Sequence, residues 1–109
     1  MNAVKRRGSI FFEDAEILEQ EAFPCRQYIL RIRAPQAAAE ATPGSFAHLG
    51  CGGTVLLRRP LSVMRADRAE GWLEFLYKPL GPGLDALAGH GPGDTISCLA
   101  PIGTGFTPP

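Results

Sequence analysis

Gly71-Trp72-Leu73-Glu74-Phe75-Leu76-Tyr77-Lys78, followed by Pro79-Leu80 and then Gly81-Pro82-Gly83, is the stretch on which the fold of this chain turns. Leu73, Phe75 and Tyr77 alternate with Trp72, Glu74 and Lys78, the two-residue repeat of a strand with one buried face. The Gly-Pro-Gly run ends that strand. Leu84 to Gly89 then reads as a short helix, with Leu84 and Leu87 one turn apart.

Upstream, the polar hairpin loop Asp67-Arg68-Ala69-Glu70 joins this strand to a fourth one, Arg58 to Arg65. Gly50-Cys51-Gly52-Gly53 is too rich in glycine for a strand interior, and no Lys-Ser/Thr pair or helix follows to make a P-loop, so it reads as a connection. A short strand, Ser45 to Leu49, precedes it, behind turn residues Pro43-Gly44 and an Ala-rich helical turn at Pro35 to Ala41. Cys25 to Arg33 is a strand with Tyr28, Leu30 and Ile32 on one face, only Ile29 being out of phase. Ser9 to Gln20 is another, with a bulge expected where Phe11-Phe12 gives way to Glu13-Asp14. Downstream, Gly91-Pro92-Gly93-Asp94 turns into a last strand, Thr95 to Leu99, with Ile96 and Cys98 inward; Pro101 to Phe106 reads as a non-repetitive exit. Thirteen glycines and ten prolines cut the chain into pieces of strand length. The expected fold is all-β, a six-stranded antiparallel Greek-key β-barrel with one short helix between the fifth and sixth strands.

A chain of 109 residues closes one core and not two. The expected layout is a tail at 1–8 carrying Lys5-Arg6-Arg7, the barrel at 9–106, and a link at 107–109. Eleven basic side chains balance 11 acidic ones, which argues against nucleic-acid binding, since that binding needs a surplus of cations on one face. Nothing approaches the roughly 20 apolar residues of a membrane span, and no secretory h-region opens the chain, so the expected location is cytoplasmic, off the membrane. Cys25, Cys51 and Cys98 are odd in number and widely spaced, and read as small buried apolar residues rather than a disulfide or metal framework. With His48 and His90 the only histidines, no metal site is expected.

Two segments carry anion-binding chemistry. In Arg58-Arg59-Pro60-Leu61-Ser62 a guanidinium can fork onto phosphate oxygens, while the serine hydroxyl can donate or accept at a polar ring atom. In Gly81-Pro82-Gly83-Leu84 the glycines permit close approach of backbone to a ligand, and the helix that follows aims its free N–H groups outward, a seat for pyrophosphate. Each is a weak signal alone. Their order along the chain requires that Arg59 and the glycine turn converge on one diphosphate.

The run from Pro43-Gly44-Ser45-Phe46 through Leu57-Arg58-Arg59-Pro60-Leu61-Ser62, Leu76-Tyr77-Lys78, Gly81-Pro82-Gly83 and Pro92-Gly93-Asp94 to Pro101-Ile102-Gly103-Thr104-Gly105-Phe106 resembles the FAD domain of the dihydroorotate dehydrogenase electron-transfer subunit, in the ferredoxin-reductase-like superfamily. The resemblance covers nearly the whole chain. It implies FAD as cofactor, held by Arg59, Pro60, Leu61 and Ser62, by Leu76, Tyr77 and Lys78, and by Gly83 and Leu84. Leu61 stands where the wider superfamily often has an aromatic that stacks on the flavin. Leu84 replaces the family's Thr or Ser at the helix start; losing that hydroxyl removes a hydrogen bond to phosphate worth about 1.5–3 kcal/mol.

Family members continue into a lobe that receives NAD(H) and then a segment holding a [2Fe–2S] cluster. The chain stops where that crossing begins, so the expectation is an excised or truncated domain, part of an NAD-linked oxidoreductase of pyrimidine biosynthesis and inactive alone. The implied partner is the dihydroorotate dehydrogenase catalytic subunit or a similar redox protein, with self-association of the isolated domain as a further option. The alternative is a flavin-free barrel that acts in interaction or assembly, with Leu84 as its mark. Without the resemblance, Tyr77 reads as a core aromatic, Trp72 as a packing or edge residue, His48 as structural, and Arg58 as facing solvent or a partner.

Overall fold

The computed structural model describes residues 10–51 and 58–103. The tail at 1–8, Gly52-Gly53, Leu57, the end of the barrel segment at 104–106 and the link at 107–109 lie outside the described residues. The elements are β1 (Phe11–Phe23), a 3-10 turn (Pro24–Arg26), β2 (Gln27–Arg33), α1 (Pro35–Glu40), β3 (Phe46–Gly50), β4 (Arg58–Ser62), β5 (Arg65–Asp67), β6 (Trp72–Tyr77), α2 (Pro82–Ala88) and β7 (Thr95–Ile102). All pairings are antiparallel, in a seven-stranded sheet of order β4-β3-β7-β1-β2-β6-β5.

The sheet curls so that its two edge strands, β4 and β5, are consecutive in sequence. Val63 and Met64 join them. Val63 donates its N–H to Ser45 O beside β3, and Met64 donates to Glu74 O on β6. The expected single strand from Arg58 to Arg65 is therefore two strands, because the chain bends at Val63-Met64 to leave one end of the sheet for the other. Among the described residues that bend gives seven strands instead of six. Two α-helices, among the described residues, accompany them instead of one, α1 being the Ala-rich turn; Glu13 of β1 accepts the N–H of Ala37 at 2.9 Å and that of Gln36 at 3.3 Å, which caps it from across the fold.

Other departures have local causes. The bulge in β1 lies at Leu18, where the β1–β2 register shifts between Ile17 and Glu19, while Phe11 to Glu16 pair with β7 without interruption. A bulge is needed where β1 leaves β7 and follows β2 alone. β2 begins two residues later than Cys25, since Cys25 and Arg26 adopt φ of 66° and 57° in the turn. β7 runs on to Ile102, because Phe46 of β3 pairs with Ile102 there.

The core is apolar and continuous: Ile17, Leu30, Ile32, Leu49, Leu73, Phe75 and Leu87 are wholly buried, with Ile96 and Cys98 beside them. Leu73, Phe75 and Tyr77 of β6 all face inward, as their alternation requires. Glu74, on the opposite phase, is buried too. Its Oε2 accepts Arg31 Nη2 at 2.9 Å and its Oε1 accepts Arg65 Nε at 2.8 Å, while Arg31 and Arg65 lie 4.0 and 5.6 Å from the Trp72 ring.

Cys51 and Cys98 are buried, but Cys25 is exposed at the hairpin tip, against the reading of all three as core residues. Burial, aided by the charge of Glu13, pushes the Cys98 thiol up to about 12. An aromatic disulfide reagent at pH 8 should label Cys25 at once and Cys51 and Cys98 only after denaturation. Fast labelling of Cys98 in the native chain would contradict this core. Among the described residues, no helix is long and apolar enough to cross a membrane.

Candidate functional site

β4 sets the geometry of the site. Its register against β3 pairs Ala47 with Leu61 and Leu49 with Arg59, so Leu61 and Arg59 share the face of two fully buried side chains. Pro60 and Ser62 lie on the other face, opposite His48 and Phe46. Leu61 is 8% exposed and closes the core under β4, whereas Arg59, with its charge, must run along that face until it reaches water.

It runs to α2. A methyl group in place of the Gly83 hydrogen would sit 2.6 Å from Arg59 Nε and 3.0 Å from its Cγ. The arginine stem therefore lies on the backbone of the first turn of α2, a contact that only glycine permits at that position. Gly81, at φ 90°, turns the chain into the helix, and Pro82 starts it with the φ that a first turn needs. Arg59 and the glycine turn thus meet, although 24 positions separate Arg59 from Gly83. Beside them lies the buried Cys51 thiol; burial pushes it up and the Arg59 charge works against that rise.

Ser62 and Leu76 belong to a second group. With Pro43, Gly44, Val63 and Met64 they line an open cleft of about 320 Å³ with predominantly apolar walls. Leu76 is 49% exposed although it belongs to a strand, and Phe46, which pairs with Ser62, is 45% exposed. Arg59 and Ser62 stand three residues apart on β4, about 10 Å along an extended chain. A cationic corner and an apolar cleft therefore share one strand.

The remaining residues singled out in the sequence fall differently. Tyr77 is buried, its hydroxyl donates to Gln20 Oε1 at 2.8 Å, and its ring stacks on Tyr28 at 5.6 Å. Burial raises its phenol well above the ordinary tyrosine range, so it remains protonated and its side chain is a wall. Lys78 is exposed just past the end of β6. Leu84 is half-buried and packs its side chain against the core. Arg58 is exposed and reaches across β3 and β7 to lie 5.0 Å from the Phe12 ring.

Several neighbours of the site are not visible in the motifs. Pro43 and Gly44 are a turn by composition and a cleft wall in space. Val63 and Met64 read as strand interior and are the bend. Gln20, on β1, and Arg26, in the turn before β2, also reach α2, from segments whose apolar pattern drew the reading to other positions.

No family model matches the chain. The dihydroorotate dehydrogenase B (NAD(+)), electron transfer subunit, of Desulforamulus reducens is 38% identical over 98 residues, which take in 88% of this chain and 37% of that protein. The chain spans little more than a third, 37%, of the length of the curated relatives it matches. Among solved structures, the NADH-dependent reduced ferredoxin-NADP oxidoreductase studied for flavin-based electron bifurcation superposes with a TM-score of 0.78 at 26% identity, over 85% of this chain and 34% of that one. A ferredoxin NADP+ reductase from Neisseria gonorrhoeae with bound FAD and NADP gives a TM-score of 0.67 at 27% identity, over 80% of this chain and 36% of that one.

Proposed function

This chain is homologous, over most of its length, to part of the dihydroorotate dehydrogenase B electron transfer subunits, and from that premise we propose that it is a flavin-binding electron-transfer module whose cofactor is FAD. The observation that carries the proposal is the Arg59 side chain lying on the Gly83 backbone. It joins a permanent cation to the N–H groups of a helix start, the donor set that a diphosphate requires. Phosphates would take Arg59 together with the backbone of Gly83 and Leu84. Pro60, Leu61 and Ser62, with Leu76, Tyr77 and Lys78, would hold the flavin end. Leu61 and Leu76 supply apolar contact, Ser62 a hydroxyl, and Tyr77 its backbone, since its side chain is engaged inside.

When bound, FAD would supply the exchange between an electron pair received as hydride from NADH and single electrons passed to an iron–sulfur or flavin partner. The protein's share is to bind, orient and shield the ring. The NADH site, a [2Fe–2S] centre and docking to a dihydroorotate dehydrogenase catalytic subunit in pyrimidine synthesis belong to this proposal as features of a longer protein. So does the Greek-key reading of the sheet's connections. An aqueous, cytoplasmic setting accords with the balanced charge.

Titration of the purified chain with FAD, followed by flavin fluorescence, tests the reading. Saturable, stoichiometric quenching and a yellow protein that releases FAD on denaturation are expected. A colourless protein that leaves added FAD unquenched would instead support the flavin-free interaction barrel, the reading favoured by one observation, the turning of Leu84 into the core where a hydroxyl would serve phosphate.

A further inference from the structure

The tip of the β1–β2 hairpin combines backbone strain with side-chain bonds to the segment that follows β6. Cys25 and Arg26 both occupy the left-handed region, at φ 66° and 57°, which side-chain-bearing residues adopt only when the surroundings hold them there. The strained turn sets Arg26 beside the segment that follows β6, the strand next to β2 in the sheet. Its Nη2 donates to Pro79 O at 3.3 Å and to Asp85 Oδ1 at 3.2 Å, tying the loop after β6 to the first turns of α2. Further back on β1, Gln20 Nε2 donates to Leu87 O at 2.9 Å and His90 O at 3.1 Å, at the other end of α2, while its Oε1 accepts from Tyr77.

A helix of seven residues does not hold its own shape or place in water, so external contacts decide where it sits. Here one hairpin grips both of its ends. Gly83, against which Arg59 lies, belongs to the first turn of the same helix. We infer that Gln20 and Arg26 are positioning residues: they fix α2 against β4 and thereby keep the Arg59–Gly83 corner assembled for the phosphates. The role in ligand binding rests on the flavin reading above, whereas the grip on α2 stands on the hydrogen bonds alone.

The experiment uses the full chain with Arg26→Ala, an exposed substitution that leaves the core intact, and Gln20→Asn, whose amide is one methylene short. Amide hydrogen exchange over residues 82–90 is measured without ligand, and Kd values are measured for FAD and for riboflavin, which has no phosphate. Arg26→Ala should speed exchange in α2 about fivefold while leaving β2 unchanged, as expected from loss of one exposed charge pair. It should raise the ratio of the FAD Kd to the riboflavin Kd by about fivefold as well. Gln20→Asn should act in the same direction. Exchange in α2 that stays at the wild-type rate in both variants overturns the grip. Faster exchange with FAD and riboflavin weakened alike overturns the positioning role, since general loosening does not discriminate by phosphate. A wild-type chain that binds neither flavin sinks the flavin reading, and exchange then decides the grip by itself.

Discussion

Arg59→Ala is expected to raise the Kd for FAD by roughly 10- to 100-fold, with little change in thermal stability. Removing a charge-assisted hydrogen bond to phosphate costs about 1.5–3 kcal/mol, and each 1.4 kcal/mol is a factor of about ten. The structure makes this residue hard to replace. Its stem is already laid along Gly83, so little further ordering is required when an anion arrives, and the neighbouring Arg58 is drawn away to Phe12. Arg58→Ala is therefore the matched control and should change the Kd by less than about threefold, the scale of an exposed charge. Gly83→Ala provides an independent check. The added methyl meets Arg59 Nε, so the guanidinium must swing off the helix start and FAD affinity must fall although no ligating side chain has been removed. Equal losses for Arg58→Ala and Arg59→Ala would show that net charge alone attracts the ligand and that the corner has no special geometry.

Glu74→Ala should be the most destabilising single change away from the apolar core, by about 3 kcal/mol in urea unfolding at pH 7, because a buried charge network loses its centre. Glu74 is 4% exposed, and register places Arg31 and Arg65 directly opposite it on the two flanking strands. Arg31 is the partner that matters. Its side chain is 25% exposed and would be left half-buried without a counter-ion, whereas the Arg65 side chain, at 61%, turns to water. Arg65→Ala is accordingly expected to cost far less than Glu74→Ala in the same unfolding measurement.

The same carboxylate sets a pH dependence. Burial by itself would raise the Glu74 carboxyl, but the hydrogen bonds from Arg65 and Arg31, and then their charges, outweigh it and hold the group below its ordinary value of 4.5. A folded-state value below the unfolded one means that this contribution is fully present above pH 4.5 and is lost as pH falls through the lower, folded value. The stability gap between wild type and Glu74→Gln should thus be constant from neutral pH down to about pH 4.5 and shrink as pH falls from there through the folded value. A gap that widened on acidification would contradict the assignment of the proton.

Much of the fold was legible because its determinants are local. The alternation in Leu73-Phe75-Tyr77 and in Leu30-Ile32 needs only neighbouring residues to be read, and so do the breaks at Gly81-Pro82-Gly83 and Gly91-Pro92-Gly93-Asp94. The misreadings share one character. The bend at Val63-Met64 carries no glycine and no proline, so nothing in the local pattern separates β4 from β5. Cys25 has the composition of a core residue and an exposed place at a turn. The bulge in β1 depends on where β1 parts from β7, a property of two strands eighty positions apart and of neither alone, as the pairing of Ala15 with Ile96 illustrates.

The amino-acid sequence by itself determined most of the strand-forming segments, the short helix after β6 and the chemical character of the site: a cation and a hydroxyl on β4, glycines at the start of α2, apolar residues on β6. Only the tertiary structure decided which of these touch. Arg59 reaches Gly83, Gln20 and Arg26 grip α2, and Arg31 and Arg65 enclose Glu74 because the curl of the sheet and its register bring them together. Periodicity and turn chemistry are written in residues a few positions apart, whereas partners dozens of positions apart are selected when the sheet closes and buries its common core.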